Sequence, residues 1–214
     1  MTPLSDYVFD LDTGWLCLDF VNTRGSSGDH LRTYSDLVAF AQQSALVTPD
    51  DADWLHAQAE REPLVAQTVL TRALALREAV RGIFSALAAG NAPAQADLSV
   101  LNADLALSLP NARIEPRDDG GFSWTWSGRA LDCMLWPVSR SAADLLTDGR
   151  AQQVRECGAS DCQWLFVDTS KNRSRQWCSM ASCGNREKAR RHYQRLKERR
   201  AGLGVSRLQR ARDG

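Results

Sequence analysis

The stretch CGASDCQWLFVDTSKNRSRQWCSMASC, residues 157–183, contains four of the six cysteines in the chain. Cys157 pairs in sequence with Cys162, and Cys178 with Cys183; four residues separate the thiols within each pair, and fifteen separate the pairs. This layout is typical of a tetrahedral zinc site, in which each thiolate lies about 2.3 Å from the metal. The pattern predicts one zinc ion. Because all four ligands are thiolates, no position is left for water or substrate, so we expect a structural metal.

An alternative interpretation of these cysteines is two disulfides, or four unrelated buried thiols. Disulfides are typical of exported proteins, and residues 1–14, MTPLSDYVFDLDTG, lack the basic start and apolar run of a signal peptide. We therefore expect a cytoplasmic protein with reduced thiols and no membrane association. Cys17 and Cys133 have no partner at metal-binding spacing and are expected to be small buried side chains.

The segment that follows the second cysteine pair predicts a basic helix. Gly184 suits a tight turn, Asn185 can cap a helix, and Glu187 suits the positive end of the helix dipole. We expect about fifteen helical residues, 186–200. A packed face at i, i+3, i+4 and i+7 spacing is predicted for Ala189, His192, Tyr193 and Leu196.

This segment resembles the CGNR zinc finger. The resemblance is carried by the two cysteine pairs and by the sequence Cys183, Gly184, Asn185 and Arg186. This family is found at the C-terminus of bacterial stress-induced transcription regulators, whose N-terminal part is called the ABATE domain. A second likeness, around LCLDFVNTR at residues 16–24, extends to that domain. The resemblance implies a zinc-binding regulator of transcription.

Charge is divided unevenly along the chain, although the formal net charge is zero. Residues 150–214 carry 16 Lys and Arg against 6 Asp and Glu, whereas residues 1–149 carry 10 against 20. A basic segment of this kind commonly binds nucleic acid, because it neutralises phosphates and releases counterions. DNA is the predicted partner, and RNA remains an alternative. The competing explanation is a charged helix that is merely solvated.

Nine residues are predicted to bind nucleic acid. Three lie in a basic loop between the cysteine pairs: Lys171, Arg173 and Arg175. Six lie on the helix: Arg186, Lys188, Arg190, Arg191, Arg195 and Lys197. Four thiolates around Zn²⁺ carry a formal charge of −2, so nearby arginines can also compensate the metal site. Arg186 is expected to have that second role.

Helical patterns dominate the first 149 residues. Residues 64–89 form the longest of them and are predicted to be the central core helix, with Arg72, Arg77 and Arg81 held in salt bridges. Trp124 and Trp126 alternate with Thr125 beside the turn sequence RDDGG, which indicates a β-hairpin.

The predicted fold has two parts. Residues 1–149 form an α-rich (α+β) domain with a small β-hairpin, and residues 150–214 form a zinc-ribbon-like module with four cysteine ligands, followed by a basic helix. In the ribbon, Trp164 and Phe166 are expected to cover the metal site.

Two polar residues interrupt an apolar run at LCLDFVNT, residues 16–23, which periodicity alone assigns to neither helix nor strand. We favour a helix. Asp19 and Asn22 are expected to cap or hydrogen-bond the turn that follows. The alternative is that they contact a small-molecule ligand, which makes them the candidate ligand-binding residues.

No pattern typical of an enzyme is found: the chain lacks a glycine-rich phosphate loop and G-x-S-x-G, and its three histidines are far apart. The leading hypothesis is a regulator that binds DNA through its zinc module and senses a small effector through its N-terminal domain. The alternatives are a zinc-stabilised module that binds an acidic protein and, with less support, an enzyme in the N-terminal domain. The oligomeric state, including a homodimer, is left open.

Overall fold

The computed structural model describes residues 7–25 and 28–210, with side chains up to Glu198. The helices are α1 Leu16–Val21, α2 Tyr34–Gln43, α3 Pro49–Arg61, α4 Pro63–Ala88, α5 Gln95–Ser108, α6 Leu135–Thr147 and α7 Asn185–Arg210. The strands are β1 Arg24–Gly25, β2 Gly28–Asp29, β3 Ala112–Pro116, β4 Phe122–Trp126, β5 Val154–Glu156 and β6 Leu165–Val167. The predicted fold class is confirmed, with three separate antiparallel strand pairs, β1–β2, β3–β4 and β5–β6, among the described residues.

The core forms around α4, as the apolar pattern of residues 64–89 predicts. Its inward face buries residues at helical spacing, among them Leu76, Val80 and Phe84. The short helix α1 lies against α4 and α6. Because α1 is covered on all sides, its apolar run shows no clear period; the interpretation of this run as a helix is confirmed.

Local hydrogen bonds explain where α2 and α3 begin. Thr33 and Asp36 form a reciprocal capping box at α2, and Thr48 and Asp51 form another at α3, where Pro49 occupies the first turn. Each box satisfies two backbone N–H groups that a helix start leaves unpaired. These starts orient α2 and α3 against α4.

Two arginines of α4 form the predicted salt bridges. Arg77 is 2% exposed, and its two terminal nitrogens donate to the carboxylate oxygens of Asp29 at 2.7 and 2.5 Å. Arg72 binds Asp104 at 3.1 Å and Asp132 at 2.8 Å. The first pair ties β2 to α4, and the second ties both α5 and the segment before α6 to α4. The buried charge of Arg77 is tolerated because the Asp29 carboxylate accepts two parallel hydrogen bonds from the guanidinium.

The zinc-ribbon hairpin β5–β6 is part of the main core, since Val154, Leu165 and Val167 pack in one hydrophobic cluster with α1 and α4. Asn22 anchors it: its side-chain N–H donates to the carbonyl of Leu165, and its side-chain oxygen accepts from the Leu165 N–H, both at 2.9 Å. The expectation that Asn22 bonds the turn after it is therefore wrong. A local rule finds only near neighbours, and Leu165 is 143 positions away.

Arg81 makes a second connection to this hairpin. Instead of the predicted salt bridge, its guanidinium donates to the backbone carbonyls of Val21, Arg24 and Gln163. The indole of Trp164 lies so close to Gly25 that a Cβ there would stand 2.5 Å from its Nε1 atom. The turn after α1 and the start of β6 are thus held together by amide, guanidinium and indole contacts.

Helix α7 differs from its prediction in length and in burial. It extends to Arg210, and from Lys188 to Glu198 every side chain is exposed, including Tyr193 at 71% and Leu196 at 38%. The predicted packed face is therefore wrong in this chain. The first two turns of α7 lie against the metal module, where Arg190 contacts Ser160 and Arg191 lies over Trp177, and the described side chains from His192 to Glu198 present apolar and basic groups to solvent. Among the described residues, no helix is long and apolar enough to cross a membrane.

We expect Asn22→Ala to destabilise the protein by about 2–4 kcal/mol, because it leaves the buried N–H and C=O of Leu165 without partners. Urea unfolding followed by circular dichroism measures this loss. Asn102→Ala, at an exposed position of α5, is the matched control. Equal stability of the two variants would show that the paired amide contact contributes nothing.

Candidate metal centre and basic surface

The four predicted ligands meet at one point. The Sγ atoms of Cys157, Cys162, Cys178 and Cys183 lie within 4.8 Å of one another, and all four residues are buried. The Sγ of Cys178 is 3.6 Å from that of Cys162 and 3.6 Å from that of Cys183. Thiolates placed tetrahedrally about 2.3 Å from zinc are separated by roughly 3.8 Å. The observed spacing therefore fits a tetrahedral zinc site, and the four cysteines can bind one zinc ion.

Backbone hydrogen bonds hold the first loop of the site. The N–H of Cys157 donates to the Trp164 carbonyl at 2.8 Å, which extends the β5–β6 ladder to the first ligand. The N–H of Gly158 donates to Gln176 at 2.8 Å, which brings the two loops together. A turn of π-helix, Met180–Gly184, then carries Cys183 into α7. The position of Cys183 therefore determines where α7 begins.

Aromatic side chains shield the sulfur atoms from solvent. Phe166 is 2% exposed and packs in one buried cluster with the four cysteines, and Trp164 and Trp177 cover that cluster. The predicted role of Trp164 and Phe166 is confirmed. Trp177 was not predicted, although an aromatic residue directly before a cysteine ligand is a usable signal. A low local dielectric strengthens every charge interaction of the sulfurs.

The sulfur atoms accept hydrogen bonds from the protein. The N–H of Cys178 donates to the Sγ of Cys157 at 3.4 Å, and a terminal nitrogen of Arg186 donates to the Sγ of Cys183 at 3.2 Å. Arg186 also binds Asp161 at 2.9 Å. Contacts of this kind orient the ligands of a metal and partly neutralise their charge. They support the expectation that Arg186 compensates the metal site.

The thiols cannot all ionise unaided at such short distances. The pKa of Cys162 is lowered to about 5, chiefly because it accepts a hydrogen bond from Cys178. That same interaction raises the pKa of Cys178, and burial raises the pKa of Cys183 to about 11. The thiolate of Cys162 therefore forms readily, whereas Cys178 and Cys183 resist ionisation. A divalent cation removes this conflict, because it favours the deprotonated form of every ligand.

Glu187 clamps the first turn of α7 to the metal loops. Its side chain is 4% exposed and binds Arg190 at 2.8 Å, and Arg190 also contacts the hydroxyl of Ser160 in the first loop. Sequence reasoning assigned Glu187 only a favourable place in the helix dipole. A signal in the sequence could have indicated this contact: Asp161 and Glu187 are acids in a segment dominated by arginine and lysine, a pattern that favours ion pairs within the segment.

The basic loop is organised by Asp168, which is 1% exposed. Its carboxylate accepts from the N–H of Ser170 at 2.9 Å and from the N–H of Arg175 at 3.0 Å. Burial alone would raise the pKa of Asp168, but these hydrogen bonds outweigh burial and hold the pKa below its usual value. The basic loop therefore folds back so that its backbone N–H groups contact the carboxylate of Asp168.

The predicted nucleic-acid-binding residues form two groups in the structure. Arg175, Arg186 and Arg190 hold the metal module together; Arg175 stacks over Phe166 at 4.6 Å and donates to the carbonyls of Trp177 and Cys178. The other side chains are exposed and have no hydrogen bond or ion pair within the described part of the chain: Lys171, Arg173, Lys188, Arg191, Arg195 and Lys197.

Comparison with known families accounts for most of the chain. A model named ABATE and described as "Putative stress-induced transcription regulator" matches residues 14–149. The chain belongs to this family. A model described as "CGNR zinc finger" matches residues 153–196, which include all four cysteine ligands. Neither description names an enzymatic activity. A search of curated proteins finds no match to this ABATE-family chain.

The candidate ligand-binding residues lie in the buried part of the ABATE region. Asp19 is 7% exposed and accepts from the N–H of Thr13 at 3.1 Å, so its partner precedes α1 and is not in the turn after it. Both polar atoms of the Asn22 amide are bonded to Leu165. Burial raises the pKa of Asp19 to about 6; hydrogen bonds from Thr13 oppose this shift, and the charges of Asp12 and Asp10 add to it.

The geometry of the CGNR finger predicts that Cys162→Ser reduces bound zinc from one per chain to well below one, because serine is a poor zinc ligand. Elemental analysis measures the metal. Trypsin should then cleave within residues 157–198 faster than it cleaves the parent there, while residues 14–149 resist. Cys133→Ser, outside the cluster, should keep one zinc and the parent cleavage pattern. Full zinc in Cys162→Ser would contradict the assignment.

The raised pKa of Asp19 predicts a pH-dependent loss of stability. The folded state binds the carboxyl proton of Asp19 more tightly than the unfolded state does, where the pKa of Asp is about 3.9. Protonated Asp19 therefore adds to the free energy of unfolding. This added stability is complete at low pH and is lost as pH rises through about 6. Asp19→Asn removes this dependence. Relative to the parent, the variant should therefore gain about 1 kcal/mol between pH 5 and 7.5.

Urea unfolding at closely spaced pH values measures this change. Asp118→Asn, an exposed acid in the β3–β4 turn, is the control for a general charge effect. A constant difference between Asp19→Asn and the parent over this range contradicts the assigned pKa shift.

Proposed function

We propose that the chain is a transcription regulator that binds DNA through the exposed cations of α7 and of the basic loop. The ABATE and CGNR families support the regulator role. The observation that carries the DNA-binding part is the exposure of every side chain from Lys188 to Glu198 on a helix whose first turn is fixed by the metal ligands.

Of the four cations of this exposed segment, Lys188, Arg191 and Arg195 lie along one face of α7, at i, i+3 and i+7, and Lys197 lies on the opposite side. An α-helix of this diameter fits the major groove of B-form DNA, where cations on both flanks reach the phosphates of the two strands. Tyr193 and Leu196 lie between them, exposed, and can contact apolar edges of bases such as the thymine methyl group. Phosphate contacts then supply affinity, and these side chains supply selectivity.

Zinc supplies no recognition in this proposal. At the root of α7, Arg186 bonds Asp161 and the sulfur of Cys183, and Glu187 binds Arg190, which contacts Ser160 in the first metal loop. A helix rooted in this way is presented without a large loss of conformational entropy on binding. The ribbon-like module thus gives an arginine-rich helix a defined direction.

We place the division of labour at residue 150, with residues 1–149 as the sensor of a small effector and residues 150–214 as the DNA-binding module. Asp19 is the candidate contact for an effector, since both polar atoms of Asn22 are occupied. A buried carboxylate with a raised pKa suits a cationic or hydrogen-bond-donating ligand. Arg81 and Asn22 connect this region to the hairpin that supports the metal site.

Arg195→Ala should weaken DNA binding and reduce the magnitude of the salt dependence by about one unit, because it removes one phosphate contact. Zinc content and urea stability should stay at the parent values, since Arg195 is exposed. Fluorescence anisotropy with random-sequence duplex DNA over a salt series measures both effects.

Arg61→Ala is the matched control, because Arg61 is also an exposed helical arginine but lies at the end of α3. RNA of the same length, tested in parallel, separates the two nucleic acids. If the parent binds neither at low salt, DNA binding is excluded, and an acidic protein becomes the preferred partner of α7. If Arg195→Ala and Arg61→Ala bind equally well, α7 is not the contact surface.

A further inference from the structure

The β3–β4 hairpin exposes a continuous apolar face. Ile114 and Trp124 are directly opposite each other, and Phe122 lies two residues from Trp124 on the same side. Their exposed fractions are 61% for Ile114, 43% for Trp124 and 70% for Phe122. Part of this face is covered by α6, where Trp126 lies 6.3 Å from the ring of Trp136 and the guanidinium of Arg140 lies 4.0 Å from the ring of Trp124. Two strands with an open apolar face are marginal alone.

The hydrogen bonds at the two ends of the ladder show which backbone groups point outward. The N–H of Ser127 donates to Asn111, and the N–H of Arg117 donates to Gly121, both at 2.8 Å. Bonded pairs alternate along an antiparallel ladder, so the inward groups of β4 belong to Ser123 and Thr125. The outward N–H and C=O groups therefore belong to Phe122, Trp124 and Trp126. Within the described residues, no strand pairs with this edge.

The two edges of the hairpin differ in their protection against further pairing. The β3 strand contains Arg113 and Glu115, and Pro116 removes one of its outward N–H donors. The β4 strand, FSWTW, contains no charge and no proline. Charges and prolines are the usual means by which proteins block an exposed strand edge. The absence of both from β4 leaves an edge that accepts another strand.

We propose that β4 pairs antiparallel with β4 of a second copy of this chain, about a twofold axis at Trp124, to give a four-stranded sheet. The outward residues 122, 124 and 126 are symmetric about 124, so an identical strand presents matching donors and acceptors. Trp124 then faces Trp124 of the other copy, and Phe122 faces Trp126, with about six backbone hydrogen bonds across the axis.

A second copy fits this edge because β4 itself has no charge, and the guanidinium of Arg140 that lies over Trp124 is paired with Asp144. Pairing also joins the two apolar faces side by side, so the exposed patches of both chains form one surface across four strands. Along the seam, Trp124 packs beside Trp124 and Phe122 beside Trp126 of the other copy, which buries part of the apolar surface that each chain alone exposes. The arrangement is independent of DNA binding, since α7 takes no part in it.

The test is the dissociation constant of the full-length, zinc-loaded protein, measured by sedimentation over a concentration series. Trp124→Lys places two like charges directly opposite each other on the axis, and Phe122→Pro removes an outward N–H, as Pro116 does on β3. Each should raise the dissociation constant at least about tenfold. Ile114→Lys, on the same face but on the outer strand of the proposed sheet, should change it less than about threefold.

Hydrogen exchange of the full chain gives an independent readout. The amides of Phe122, Trp124 and Trp126 should exchange slowly at high protein concentration and rapidly at low concentration, whereas those of Ser123 and Thr125 should not depend on concentration. A parent protein that sediments as a monomer at several hundred micromolar overturns the proposal. So does a dimer that Trp124→Lys and Phe122→Pro leave intact, or one that Ile114→Lys weakens equally.

Discussion

Four sulfur atoms within 4.8 Å of one another are the constraint on which the C-terminal third of the chain depends. Such thiols repel one another when ionised, and they are separated by up to 26 positions in the sequence. A divalent cation converts that repulsion into attraction, so metal binding and folding of the loops are one process. The aromatic cover, the Arg186 contact with sulfur and the Glu187 clamp all presuppose that the sulfurs are gathered.

The metal site is not an appendage on the helical part. Its hairpin shares a hydrophobic core with α1 and α4, and the Asn22 amide pairs with the Leu165 backbone as another strand would. Because both ends of this contact are buried, neither part reaches its full stability without the other. The two family matches meet at a boundary in the sequence, but the hydrophobic core continues across that boundary.

Periodicity and spacing predicted much of this structure. The four cysteines needed only their separations, and α4 and the β3–β4 hairpin needed only apolar pattern and turn residues. The contacts of Asn22 and Arg81 were not predictable, because their partners are backbone groups that carry no sequence signature. The face of α7 was predicted to pack because spacing shows that a stripe exists, whereas the tertiary fold decides whether anything lies against it. Charge alone predicted Arg175 as a nucleic-acid-binding residue. Its contact with Phe166 was not predictable, because that contact depends on how the loop folds.

Helix α7 is also a lever arm. Its 26 residues span about 39 Å, and among the described side chains the contacts with the metal module end at Arg191. A rotation of about 10° at the root would move the far end by roughly 7 Å, about two base-pair steps along DNA. Small adjustments of the loop around Cys183, or of the hairpin that Asn22 and Arg81 hold, are thereby magnified into large displacements at the distal turns. The metal loops determine the direction of α7, and the length of α7 determines how far its distal end moves when that direction changes.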